Sequence, residues 1–359
     1  MRCVIFVNSY MGLITAIQIR EYLYNNCEFD MVMSDLTPSL FEIYNNGVLK
    51  DKFDNIYFVS TERYKKIYKY ITLISPQKYL KKILKTDIKE YTDVFFWNPT
   101  QLVHNYIMHL DSIGINYKLH LYGDAIGSYV VDYPFETNLY RSKILNSIIR
   151  KRAGYRFIKE LEYDYFVFAP QYISFETKRK IVEIPKINKK DIEYYNKIFG
   201  FDTSIKIDNK YIFMDKQHND EFSGDDISIS ILKKINELVD KDDFIIKSHP
   251  RQNESVYSKN NLNVLKLDIP WEIYCFNNDI KYKIIISYGS SALFMPFIMF
   301  GSKYTSICIQ TQNNFNQIFK KEFQLFLEKF SKENKNLVVV NDISQLPDVI
   351  TKLSDGKEI

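Results

Sequence analysis

The sequence predicts an α/β protein of two Rossmann-like halves facing a cleft, and three observations predict it. Short apolar runs bounded by polar residues alternate with amphipathic segments, the pattern of parallel strands joined by crossover helices. The chain has 359 residues, 46% hydrophobic and 16% aromatic, enough for a large core and more readily two domains than one. A polar stretch broken by Pro170 and Pro185 separates two such series.

The first series starts with "CVIFVNS" from Cys3 and continues into the helical "LITAIQIREYLYNN". Strand-like "FDMVMSD", "NIYFVS", "DVFFWN" and "YKLHLYGD" follow, with helix-like segments between most of them. The stretch "FVFAPQYISFETKRKIVEIPKINKKDIEYYNKIFGFDTS" reads as the crossing between domains. A second series then runs "KYIFMDKQ", the helical "ISILKKINELVD", "DFIIKSHP", "NVLKLD", "KIIISYGSS", "YTSICIQ" and "LVVVND". The expected division is an N-terminal Rossmann-like domain over 1–175, a linker over 176–205 and a C-terminal Rossmann-like domain over 206–359.

Composition excludes several classes of function. A net charge of +4 with no long basic tract argues against nucleic-acid binding, while a mild attraction to an anionic membrane surface stays compatible with it. Cys3, Cys27, Cys275 and Cys308 are scattered with no CxxC pair, so neither a zinc site nor a disulfide framework is indicated, and a reducing cytoplasm fits. The apolar run Cys3 to Val7 is too short for a signal segment, and "ALFMPFIMFG" is interrupted by Pro296 and falls far short of a membrane span. The expected setting is the cytoplasm, with peripheral contact at the inner membrane face left open.

The candidate site residues stand at strand ends, where open α/β sheets put their ligands. The strand "DFIIK" ends in Lys247, Ser248, His249, Pro250 and Arg251, a cluster suited to an anion. After "KIIIS" come Gly289, which permits a tight turn, and Ser290 and Ser291, whose hydroxyls and backbone N–H groups can hold anion oxygens at a helix start. Ordinary serine capping is the competing structural reading. Glu272 in "PWEIY" can accept from a ribose diol or simply favour its helix dipole, and neighbouring Trp271 reads as core. In the first half, Asp124 ends an alternating strand and is flanked by Gly123 and Gly127, so a substrate hydroxyl can approach it and lose a proton. An Asx turn is the alternative. The turn from Asn8 and Ser9 to Gly12 offers a similar small-residue surface in the same half, and His120 within its strand reads as structural.

"YGDAIGSY", "KSHP", "PWEIY" and "YGSS", in that order, resemble the motif series of bacterial sialyltransferases of the lipooligosaccharide, capsule and polysialic-acid groups, with their acidic-acidic-Gly, HP and Ser-Ser/Thr motifs. The resemblance covers short motifs and the two-domain layout rather than continuous identity. It implies a GT-B-like fold and an inverting transfer of sialic acid from CMP-sialic acid to a glycan hydroxyl, with no metal and no cofactor. In that scheme Asp124 is the base, His249 assists the departing phosphate, Ser290 and Ser291 bind its oxygens, Lys247 contacts cytidine or phosphate, and Glu272 holds the ribose. Arg251 is a weaker addition, with a solvated surface charge as its plain reading. The acidic-acidic-Gly motif appears here as Gly123-Asp124-Ala125 with one acid, and Asp215, ending "YIFMD", is the second candidate base. A GT-B transferase using another nucleotide sugar and a non-catalytic glycan- or nucleotide-binding relative are the alternatives. The family and the aromatic richness also make a homodimer an expectation.

Overall fold

A computed structural model of the chain describes residues 1–60, 76–84, 89–98, 100–132, 162–215, 225–248, 255–265, 267, 269–310 and 320–355. Two compact units emerge, Met1–Pro185 and Lys186–Ile359.

The first unit is built on a seven-stranded sheet. Its strands are β1 (Arg2–Val7), β2 (Glu28–Ser34), β3 (Ile56–Val59), β4 (Asp93–Phe96), β5 (Lys118–Tyr122), β6 (Tyr163–Phe168) and β7 (Ile181–Ile184). They lie in the order β3-β2-β1-β4-β5-β6-β7, all paired parallel. A parallel sheet covered on both faces has no solvated side, which is why β1 is a continuous apolar run with Cys3 to Val7 all buried. The helix Tyr10–Gln18 follows β1, and a π-helical turn over Ile19–Leu23 brings Tyr24 edge-on to Phe95 at 4.9 Å. His120 is structural, as its place within the strand predicts. Its Nε2 lies 2.9 Å from Asp93 Oδ1, and its ring stacks on Phe95 at 4.4 Å between centroids.

The second unit holds β8 (Tyr211–Met214), β9 (Phe244–Lys247), β10 (Ile284–Ser287), β11 (Thr305–Ile309) and β12 (Leu337–Val340) in the order β12-β11-β10-β8-β9. These are parallel as well. At the amino edge, Lys283 Nζ donates to the carbonyls of Ile207, Asp208 and Asn209 at 2.6, 2.9 and 2.9 Å, pinning the start of β10 to the approach to β8.

Three expectations change. Among the described residues of "NVLKLD", only Val264 pairs, in one isolated parallel bridge to Ile246 formed by Ile246 N–H on Asn263 O at 3.0 Å and Leu265 N–H on Ile246 O at 2.8 Å. The stretch read as a crossing contains the end of β6 and all of β7, so the first sheet extends two strands beyond β5. The division between the units, after Pro185, falls within 176–205, and that span also carries the helix Ile192–Phe199. Lastly, the apolar segment after β10 does not enter a helix at once. A 3-10 turn, Ser291–Leu293, comes first and the helix Met295–Phe300 follows. Among the described residues no helix is long and apolar enough to cross a membrane.

The helix Lys320–Glu333 shows how sequence pattern becomes packing. Phe323, Phe326, Leu327 and Phe330 recur at three- and four-residue spacing and are buried. Phe294 meets Phe326 and Phe330 edge-on at 5.1 and 5.2 Å. Phe330→Ala is expected to destabilise the Lys186–Ile359 unit by about 3–5 kcal/mol, read as a lower urea midpoint for that unit in the full chain. An unchanged midpoint would remove this helix from the core.

Candidate active site

In the first sheet the chain runs outward from β1 through β2 to β3, then returns to lay β4 on the other side of β1. The carboxyl ends of β1 and β4 therefore flank a topological switch point, where open α/β sheets form their ligand crevice. Asp124, two residues past β5, comes back to this point.

Ser9 caps the helix Tyr10–Gln18, its Oγ accepting from Gly12 N–H at 2.9 Å. The same hydroxyl donates to Asp124 Oδ2 at 3.0 Å, linking the loop after β1 to the loop after β5 over the end of β4. Tyr122 Oη makes a second span by donating to Phe6 O at 2.6 Å. The Asp124 backbone N–H donates to Ser128 Oγ at 3.2 Å, and Gly123 is held on both sides: its N–H donates to Phe166 O at 2.7 Å and its carbonyl accepts from Thr15 Oγ1 at 3.2 Å. A Cβ on Gly123 would lie 2.9 Å from both Ser128 Cβ and Val167 Cγ1, so close packing explains this glycine. Gly127 opens the short helix Gly127–Val130.

Asp124 is only 6% exposed. Burial pushes its carboxyl up to about 6, against the opposing pull of the Ser9 hydroxyl and its own backbone N–H. A carboxylate at that value is poised to take a proton near neutral pH. Asn8 is committed elsewhere: its Oδ1 accepts from Ser34 Oγ at 2.6 Å and its carbonyl from Thr37 Oγ1 at 2.8 Å, so it shapes the loop after β2.

In the second unit the switch point lies between β8 and β10. The strands bearing Lys247 and Gly289 are not neighbours, because β8 runs between them and places Asp215 at the middle of that edge. Asp215 is buried, its Oδ2 accepting from Tyr257 Oη at 2.5 Å and its N–H donating to Lys247 O at 3.1 Å. Ser287 Oγ donates to Met214 O at 2.8 Å and accepts from Ser290 N–H at 3.3 Å, fixing the turn at Gly289, whose φ of 85° favours glycine. Ser290 Oγ accepts from Ala292 N–H at 3.4 Å, so it caps the 3-10 turn as the structural reading expects, with loose geometry. Glu272 is buried in the first turn of the helix Trp271–Asn277. Burial raises its carboxyl, and the Lys247 charge opposes that rise. Trp271 is core, stacked on Tyr274 at 5.2 Å. His249, Pro250 and Arg251 lie outside the described residues.

The described residues thus bring Asp124, Ser9 and Gly123 together in one unit. In the other, Asp215, Lys247, Gly289, Ser290 and Ser291 gather at one sheet edge, with Glu272 near Lys247. Sequence reasoning missed Tyr257, Ser128 and Ser287. A hydroxyl that serves another residue's geometry has no spacing signature of its own.

No family model and no curated protein matches this chain. Solved structures do. An MnaA–UDP co-structure from S. aureus superposes with a TM-score of 0.54 at 11% identity, covering 99% of this chain and 88% of that one. Spinosyn rhamnosyltransferase SpnG gives 0.52 at 8%, covering 99% and 92%, and glycosyltransferase SnogD from Streptomyces nogalater gives 0.50 at 10%, covering 95% and 87%. At these identities the likeness is one of fold, and the fold of this chain is that of the GT-B glycosyltransferases, with two Rossmann-type α/β units in succession.

Proposed function

We propose that the chain is an inverting glycosyltransferase that moves sialic acid from CMP-sialic acid to a hydroxyl of a surface glycan, a terminal galactose or another sialic acid. The observation that carries the transferase reading is the buried Asp124 at the switch-point edge, with its carboxyl near 6. Asp124 takes the proton of the acceptor hydroxyl as that oxygen forms its bond to the anomeric carbon. The bond from that carbon to the phosphate oxygen breaks, and CMP leaves from the opposite face with the electron pair. Charge builds on the departing phosphate, where Ser290, Ser291, Lys247 and, from the motif series, His249 supply hydrogen bonds or a proton. No metal enters this scheme.

The choice of CMP-sialic acid rests on the order of the motifs rather than on geometry. Another nucleotide sugar is the second reading, favoured by the fold likeness to a rhamnosyltransferase and to a UDP co-structure. A panel of CMP-, UDP- and GDP-sugars in excess EDTA separates them. Turnover of CMP-sialic acid alone is the expected result; turnover of a UDP- or GDP-sugar would replace the donor, and dependence on added metal would overturn the metal-free scheme. His249→Ala should lower turnover by about 10²–10⁴-fold with a smaller effect on donor binding. Activity within a few-fold of the parent would remove His249 from the scheme.

The carboxyl of Asp124 also makes a pH prediction. Its folded value of about 6 stands above the ordinary 3.8, so between these values the folded chain keeps a proton that the unfolded chain has lost. The contribution of this group to stability is present below pH 3.8, falls as pH rises to 6 and leaves a deficit on the order of 3 kcal/mol above that. Asp124→Asn is therefore expected to stabilise the protein by roughly 1–3 kcal/mol at pH 7.5, in urea titration, while transfer drops by about 10²-fold and CMP affinity is kept. In the parent, transfer should rise with pH through about 6, where it is half-maximal, and level roughly one unit above. Because Asp215 Oδ2 is occupied by the Tyr257 hydroxyl, Asp215→Asn should impair transfer less. If Asp215→Asn abolished transfer while Asp124→Asn stayed active, the two roles would be exchanged.

A further inference from the structure

Ser9 stands out among the hydroxyls around Asp124 because both of its capacities are spent in fixed directions. A hydroxyl has one proton to give. Ser9 Oγ already accepts from Gly12 N–H at 2.9 Å, at the first turn of the helix Tyr10–Gln18, and this sets where its proton can point. That proton goes to Asp124 Oδ2 at 3.0 Å. The backbone around Asp124 is equally fixed by Ser128 Oγ, Phe166 O and Thr15 Oγ1, so the carboxylate cannot turn without breaking the Ser9 bond or shifting the loop. Gly12 is part of the same fit: a Cβ there would lie 3.0 Å from Ser9 Oγ and 3.2 Å from Tyr122 Oη.

We infer that Ser9 is the positioning residue of the base: by holding Oδ2, it turns Asp124 so that Oδ1 takes the proton of the acceptor hydroxyl. This rests on the reading of Asp124 as the base. Oδ1 takes no side-chain partner among the described residues, whereas Oδ2 holds the Ser9 hydroxyl and is the weaker proton acceptor for it. Ser9 also stabilises the charged form of Asp124, so its loss must push that carboxyl further above 6.

A helix cap and a positioning residue can be told apart with two substitutions. Glycine is a tolerated cap whose replacement of serine changes helix stability only slightly, but it has no hydroxyl. Threonine keeps the hydroxyl. Ser9→Gly is expected to lower acceptor kcat/KM by about 10-fold, the scale of one hydrogen bond, with CMP affinity unchanged and the rising limb of the pH–rate profile moved to higher pH. Ser9→Thr is expected to retain both the rate and the limb. In parallel, carbon-13 NMR of labelled aspartate should show the Asp124 carboxyl titrating at higher pH in Ser9→Gly than in the parent, whether or not a donor has been found. A rate, limb and Asp124 titration in Ser9→Gly equal to those of the parent would overturn the inference and leave Ser9 a cap. A parent that transfers no sugar from any donor, while the Asp124 titration still shifts in Ser9→Gly, would refute the transferase reading and leave the Ser9–Asp124 coupling standing.

Discussion

The buried carboxylate of Asp124 is the constraint on which the first unit turns. A charge taken out of water must be met by donors or give up its ionisation, and here one side-chain hydroxyl and a backbone amide meet it only in part. Ser9 can reach it because β4 separates β1 from β5 by a single strand, so the loops after β1 and β5 close over the end of β4. The Tyr122 hydroxyl on Phe6 O repeats that span one layer down, within the sheet. The edge that carries Asp124 is held by bonds that tie β1 to β5 across β4.

The second unit solves a different problem at the matching place. Its switch point, between β8 and β10, is closed by Ser287, which joins the last carbonyl of β8 to the turn after β10. Asp215 is buried like Asp124, yet its carboxylate takes a tyrosine hydroxyl at 2.5 Å from an element of its own unit. The two aspartates are therefore held differently. One is held by a small hydroxyl at a crevice edge, and the other is bound by a fully buried phenol.

The strands were the most legible part of the fold, because a parallel sheet covered on both faces demands short unbroken apolar runs such as "CVIFV" and "KIIIS". β6 and β7 were hidden because Pro170 and Pro185 and the charged "ETKRK" dominate that stretch, and β7, as an edge strand, has an exposed Ile181 and Glu183 that weaken its apolar signal. "NVLKLD" has the composition of a strand, but among its described residues only Val264 pairs, in a single parallel bridge to Ile246. At the site, Asp124, Lys247, Glu272 and Gly289 were legible from their places at strand and helix ends. Ser9 was legible as part of a small-residue turn after β1, but not as the partner of Asp124. A contact across 115 positions depends on strand order, which local pattern does not encode.

The departure of "YGDAIGSY" from an acidic-acidic-Gly motif has a steric reason in this chain. Position 123 cannot carry a carboxylate, since even a Cβ there would meet Ser128 Cβ and Val167 Cγ1 at 2.9 Å. The backbone of Gly123 is fixed by Phe166 O and Thr15 Oγ1, so it cannot move aside to make room. A second carboxylate beside Asp124 would repel its charge and raise its proton affinity further. With one acid, burial alone lifts the carboxyl to about 6 while the Ser9 hydroxyl holds it from rising further. The packing of Gly123 thus leaves Asp124 as the one carboxylate of this turn.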